Sequence, residues 1–363
     1  MNTFGKTIGL TIFGESHGLS IGAVLDGLPS GEAIDWDAVR AEMARRAPGK
    51  NQMSTARSEK DAFEVQSGFF NGHTTGTPLC AIIRNSDQHS RDYDQLRHLM
   101  RPGHADYSGK IRYGGFNDYR GGGHFSGRLT APLVFAGAVA SQILARHGIT
   151  VGSHILRLAG IADKPFTAIG ETAETLQALK KETLPVLDKA QAGPMEEKIL
   201  AAKNDLDSVG GVIECMVTGL PAGIGDPFFD SVESQLSHMM FSVPAVKGIE
   251  FGDGFSLAEL RGSQANDAFY YDGDVVKTRT NHNGGINGGI TNGMPVVFRL
   301  AIKPTASISQ KQETIDTDTK ENCDLVIKGR HDPCIVQRAI PVVEAAAAWA
   351  ILDVCLSEKG RCW

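Results

Sequence analysis

The amino-acid sequence predicts an α+β protein, a sheet–helix–sheet sandwich of two pseudo-repeated halves with Ala-rich helices in the centre and mostly antiparallel sheets outside. Three observations predict it. Residues 131–147 and 340–356 are rich in Ala, Val and Leu and apolar nearly all round, and a helix of that kind is a buried one. Elements of the first half return in the same order in the second: IGAVLDGLPSG at 21–31 resembles VIECMVTGLPAG at 212–223, and FEVQSGFF at 63–70 resembles IEFGDGF at 249–255. Finally, 41% of the 363 residues are hydrophobic, ample for a core, and no part of the chain has the composition of a disordered segment.

Taken in order, residues 4–13 alternate loosely and end in Gly14-Glu15-Ser16-His17-Gly18. A strand pattern at 21–25 is closed by the turn Gly27-Leu28-Pro29-Ser30-Gly31. Asp35 is placed to cap a helix whose apolar face is Trp36, Val39 and Met43. Arg45 and Arg46 suit its C-terminal dipole, and Pro48-Gly49 stop it. Strands are expected at 63–70 and 78–84, then a basic Gly-rich loop at 101–128, then the first core helix. The stretch 151–204, more polar over 160–205 and with a helical segment near 195–204, is expected to connect the halves, which cover roughly 1–150 and 205–360. In the second half the helix at 230–241 carries a capping box of Asp230 and Glu233. Gly293-Met294-Pro295 precedes a strand at 296–302, as Gly76-Thr77-Pro78 precedes the one at 78–84. A Pro opens the second core helix near its first turn.

The net charge of −6 argues against general binding to nucleic acid or membrane surfaces, so any anion site is a local concentration of cations. No apolar run approaches the length of a membrane helix, and the N-terminus lacks a signal-peptide core. The six cysteines show no paired metal spacing. These features suit a cytoplasmic protein with reduced thiols.

The loop 101–128 holds Arg101, Arg112, Arg120, Arg128, Lys110, His104 and His124 among glycines, offset by Asp106 and Asp118. Guanidinium forks grip phosphate and carboxylate, imidazoles exchange protons near neutral pH, and glycines let backbone approach a ligand. Such a loop suits an anionic small molecule; a solvated basic loop is the plainer alternative. Gly14 to Gly18 also fits the G-x-S-x-G of serine hydrolases with Ser16 as nucleophile, a motif that needs a following helix. Arg120-Gly121-Gly122-Gly123 admits an RGG-type RNA-binding reading. Lys303-Pro304-Thr305-Ala306-Ser307 offers a cation and two hydroxyls to a phosphate, and Gly329-Arg330-His331-Asp332-Pro333 stands just before the second core helix.

In this order GESHG, RRAPG, TTGTP, the run from RPGHADY to RGGGHFSGR, VKGIEFGDGF, GGINGGI, KPTAS and GRHDP span nearly the whole chain. Together they resemble the chorismate synthase family. The resemblance implies a phosphate lyase that converts 5-enolpyruvylshikimate 3-phosphate to chorismate by a 1,4-elimination, assisted by reduced FMN. It further implies a homotetramer and an external flavin reductant, with NADPH use left open. By matching motif, His17 would protonate the departing phosphate, His104 would act at the reduced flavin and Asp332 would assist the base. Ser16, Arg45, Arg46, Arg128 and Arg330 would bind substrate. The FMN positions would be His124, Phe125, Ser126, Pro244, Ala245, Gly288, Lys303, Pro304, Thr305, Ala306, Ser307 and Arg330. The chain departs from the common pattern at Ala47, Gln52, His124, Phe125 and Pro244, which leaves backbone contacts to carry those FMN positions.

Overall fold

A computed structural model of the chain describes residues 2–49, 52–54, 61–86, 97–327 and 331–358. Strands β1 (Thr3–Phe4), β2 (Gly9–Gly14) and β3 (Ser20–Asp26) run antiparallel in sequence order. Helix α1 (Trp36–Arg46) follows, its first amides capped by the Asp35 carboxylate at 2.8 Å from Asp37 N. The strand expected over 63–70 breaks in two. Gly68 takes a φ of +80° with its backbone against Leu79, which leaves β4 (Phe63–Ser67) and a small hairpin of β5 (Phe69–Phe70) and β6 (His73–Thr74). With β7 (Leu79–Arg84) the first sheet has the order β1-β2-β3-β7-β4, antiparallel throughout. Helices α2 (Asp106–Arg112) and α3 (Thr130–Arg146) complete this half.

The expectation that 151–204 merely connects two halves fails at its start. β8 (Thr150–Leu158) is an interior strand of the second sheet, and its polar Ser153 and His154 are buried. After β9 (Ile161–Ala162), α4 (Ala173–Leu179) and α5 (Ala192–Asn204) come β10 (Gly211–Thr218) and α6 (Val232–Met240). The capping box expected of Asp230 is not formed. Asp230 ends a preceding 3-10 turn and pairs with Lys6, and Ser231 caps α6 by accepting from Ser234 N at 3.0 Å. β11 (Val246–Phe251), α7 (Gly262–Ala265), the hairpins β12 (Phe269–Asp272)–β13 (Val275–Thr278) and β14 (Ile286–Asn287)–β15 (Ile290–Thr291), and β16 (Val296–Ile302) follow. A last hairpin, β17 (Lys311–Asp316)–β18 (Glu321–Val326), precedes α8 (Val336–Ser357). The second sheet runs β11-β16-β10-β8-β9, again antiparallel.

Between the sheets lie α3, against β3, and α8, against β8 and β10, packed on each other. Gly137 of α3 meets the backbone of Ala345 of α8, where a side chain would overlap it. One buried apolar cluster runs from Ile8 to Leu356 through both helices. Contrary to the sequence reading, residues Gly127–Arg146 and Val336–Ser357 are long and apolar enough to cross a membrane, but they are 78% and 100% buried inside the protein. Helix α8 begins four residues earlier than expected and carries Pro341 inside its second turn. Two acids in this core helix are fully used. Asp353 accepts from the amides of Lys6, Thr7 and Ile8, pinning the N-terminal segment, and Glu344 accepts from Ser153 N and Oγ.

Candidate active site

The run Arg120-Gly121-Gly122-Gly123 forms a tight turn with all three glycines at positive φ, +58°, +84° and +54°. It needs glycine for space as well as for conformation. A Cβ on Gly121 would overlap the His17 ring, and one on Gly122 would lie 3.2 Å from His104 Cε1. The turn therefore lies between two imidazoles, one from the β2–β3 connection and one from the loop before α2. It is tied to the first by Ser16 N donating to Gly123 O at 3.1 Å and by His124 Nδ1 donating to Gly14 O at 2.8 Å. Ser16 and His17 are both buried, and Ser16 Oγ has no hydrogen-bond partner among the described residues.

Around His104 the loop is held by charge. Its Nδ1 lies 2.6 Å from Asp106 Oδ1, and Arg101 grips the same carboxylate from Nε at 2.7 Å and Nη2 at 2.8 Å. Arg101 also donates to Ser307 Oγ at 3.1 Å, which links the loop before α2 to the loop after β16. Burial would raise the Asp106 carboxyl, but Arg101 and His104 hold it well below the usual carboxylate range.

The arginines divide. Arg46 and Arg128, both buried, share the Asp61 carboxylate: Arg46 donates from Nε at 2.9 Å and Nη2 at 2.5 Å, and Arg128 from Nη1. Burial works against ionisation of Asp61, and the two guanidiniums overcome it and lower its pKa. Arg45 was expected at the substrate beside Arg46. It turns away instead, pairing with Glu42 and Glu344 at 2.5 Å each.

A cavity of about 600 Å³ opens beside these groups, within the range of small-molecule sites. Of the residues expected from sequence, Arg46, Arg128, His104 and Asp332 line it. So do His124, Phe125 and Ser126 from the turn, Pro244 and Ala245 just before β11, and Lys303, Pro304, Thr305 and Ala306 after β16. Val243, Ile335 and Val342 add apolar wall that sequence reasoning missed. Asp332 pairs with Arg338, also a wall residue.

Other expected residues lie elsewhere. Ser16 and His17 sit behind the triple-glycine turn rather than in the wall, and Ser307 is engaged by Arg101. Gly288 is in the β14–β15 hairpin, where Gly289 O accepts from Val232 N at the start of α6, whereas the cavity begins at Phe241 past its other end. That nine-residue helix separates them by roughly 13 Å. Arg330 lies outside the described residues. Asp61 was not singled out in the sequence, since it belongs to none of the motifs.

The alternatives lose their structural context. After Gly18 the chain enters β3 instead of the helix that a nucleophile elbow requires. Arg120 is folded back onto Asp118 at 2.8 Å in an ordered turn, unlike a free RGG segment.

The chorismate synthase family model matches residues 8–356. Among curated relatives, chorismate synthase of Dehalococcoides mccartyi is 45% identical over 355 residues, covering 98% of this chain and 96% of the relative. That of Chitinophaga pinensis is 45% identical over 360 residues, 99% of this chain and 98% of the relative. That of Methanosarcina mazei is 43% identical over 352 residues, 97% and 95%. A solved crystal structure of chorismate synthase superposes with a TM-score of 0.76 at 28% identity, over 99% of this chain and 95% of that one.

Proposed function

Since the chain belongs to the chorismate synthase family, phosphate lyases of the shikimate pathway, we propose that its cavity converts 5-enolpyruvylshikimate 3-phosphate to chorismate and phosphate with the help of reduced FMN. The observation that carries this reading is the meeting of Arg46, Arg128, Lys303 and His104 around one cavity to which Phe125, Val243, Ile335 and Val342 add apolar wall. A doubly carboxylated phosphate ester needs such cations, and an elimination needs water kept out and proton groups in place.

The walls suit the cofactor. Thr305 Oγ1 is buried without a hydrogen-bond partner among the described residues, near Lys303 in the cavity wall, a hydroxyl and a cation for a phosphate, and Phe125, Val243, Ile335 and Val342 offer apolar surface for a flat ring system. Lys303 to Ala306 would hold the phosphate end, and Ser126 and Ala245 would meet the rest through backbone. Reduced flavin, when bound, supplies electron density that eases phosphate departure and recovers it as the ring hydrogen leaves. Arg46 and Arg128 bind and orient the substrate anions, with Asp61 fixing the direction of both forks. His17, read by its motif as the proton donor to the departing phosphate, lies behind the triple-glycine turn and would have to pass its proton across it. His104 holds a proton position on the cofactor side, and Asp332, steadied by Arg338, serves the base.

We further read the protein as a cytoplasmic homotetramer whose flavin is reduced from outside. Both five-stranded sheets are antiparallel, which supplies no dinucleotide-binding βαβ unit within them, and Gly288 would reach a cofactor only from a second copy. The two halves are read as structural repeats on the matching orders β2-β3-β7-β4 and β8-β10-β16-β11. Anaerobic protein with reduced FMN should release phosphate from the substrate, and with oxidised FMN release none. Release that ignores the flavin's redox state would defeat the proposal.

A further inference from the structure

His104 and Asp106 form a pair whose hydrogen-bond logic settles which ring nitrogen faces the cavity. The carboxylate of Asp106 is ionised, so it can only accept. The guanidinium of Arg101 can only donate, and its Nη2 stands 3.1 Å from His104 Nδ1 and 2.8 Å from Asp106 Oδ1. A contact of 2.6 Å between His104 Nδ1 and Asp106 Oδ1 is satisfied when Nδ1 carries the hydrogen. That hydrogen excludes acceptance from Arg101, which spends Nη2 on the carboxylate. Nε2 is then the nitrogen left for a further partner: it lies 3.4 Å from the position a Cβ on Gly122 would take, on a residue that lines the cavity.

The pair is also braced from behind. Arg101 is 7% exposed and holds both Asp106 oxygens while donating to Ser307. The Asp106 side chain is 10% exposed, so bulk water has little access to its oxygens. Its backbone partner is Arg101 N at 3.1 Å.

We propose that Asp106 is a positioning residue: it fixes neutral His104 as the Nδ1–H tautomer and so presents the Nε2 lone pair to the cavity as a proton acceptor. A proton that reaches Nε2 makes an imidazolium whose charge rests against the carboxylate, and its return restores the neutral ring. No electrons are gained or lost in either direction. The proposal rests on the reading of this cavity as the reaction site.

The test uses full-length Asp106→Asn and Asp106→Glu proteins with reduced FMN under anaerobic conditions. Asn can donate to Nδ1 and favour the other tautomer. Asp106→Asn should lower kcat by about 10²–10⁴-fold, as loss of a tautomer-fixing carboxylate does elsewhere, with substrate KM and FMN affinity within about threefold. Asp106→Glu should recover most of the loss. Ring-15N spectra, with His104 assigned by its absence in His104→Gln, should show a protonated Nδ1 and a bare Nε2 in the wild-type neutral ring. A bare Nδ1 there would overturn the proposal even if Asp106→Asn fails to fold. So would a kcat within threefold of wild type in Asp106→Asn. If wild-type protein releases no phosphate at all, the functional reading falls while the nitrogen spectrum still judges the tautomer.

Discussion

Replacing Gly121 with Ala separates a structural turn from a spacer between catalytic groups. The residue sits at φ +58°, ψ +19°, and a left-handed Ala costs about 1–2 kcal/mol. The new methyl would overlap the His17 ring and stand 3.1 Å from Ser16 Oγ. His17 is 4% exposed, so the ring cannot simply swing into solvent, and overpacking of this kind adds about 1–3 kcal/mol. A domain of ordinary stability survives the sum, roughly 2–5 kcal/mol. Turnover should not survive equally, because displacing a catalytic group by about 1 Å costs about 100-fold. Gly148→Ala is the control: φ is +75° there, with nothing within 4 Å of the added methyl, so it suffers the backbone strain alone. Urea unfolding and anaerobic phosphate release should show Gly148→Ala slightly less stable and fully active, and Gly121→Ala about 100-fold slower. Gly121→Ala turning over within threefold of wild type would refute the spacer argument.

His154 is fully buried between Asp163 at 3.1 Å and Glu214 at 3.0 Å; His154→Gln takes the imidazole from buried Asp163 and leaves Glu214 with Arg299 alone, and should cost about 3–5 kcal/mol in urea unfolding. Burial works to lower the pKa of His154, and the two acids overcome it and raise it. The stabilisation is therefore complete below the ordinary value of about 6.5 and is lost as pH rises through the folded value. The wild-type urea midpoint should fall with alkalinity in a way the variant does not reproduce; parallel profiles would count against the imidazolium. Asp61→Asn removes the anion that orients Arg46 and Arg128, and should raise substrate KM about tenfold, on the order of one charged hydrogen bond; an unchanged KM would detach Asp61 from the site. Burial pushes the Cys334 thiol up to about 12, so peptide mapping after native alkylation at pH 8 should find Cys334 unmodified and the partly exposed Cys323 modified.

What could be read in advance follows from how local each cause is. The two core helices were legible because all-round apolar composition needs no partner to interpret, and α1 because Asp35 caps its own next turn. Strand β8 was hidden because its Ser153 and His154 look like linker residues until Glu344, Asp163 and Glu214 are found against them. The cap of α6 slipped by one residue, between two side chains that can both cap, and the ion pair of Asp230 with Lys6 from the far N-terminus accompanies the choice of Ser231. In the site, glycine-rich motifs carried the cavity walls, whereas Asp106 looked like a mere charge offset and Asp61 belonged to no motif. The two arginines at the end of α1 show the limit most sharply. Successive residues on an α-helix point about 100° apart, and here the two side chains part: Arg46 lines the cavity and Arg45 does not. Arg46 reaches Asp61 and Gly127 O at the site, and Arg45 reaches Glu344, buried in the other core helix 299 positions along the chain. The partner that draws Arg45 away from the substrate is a carboxylate that no local window of sequence contains.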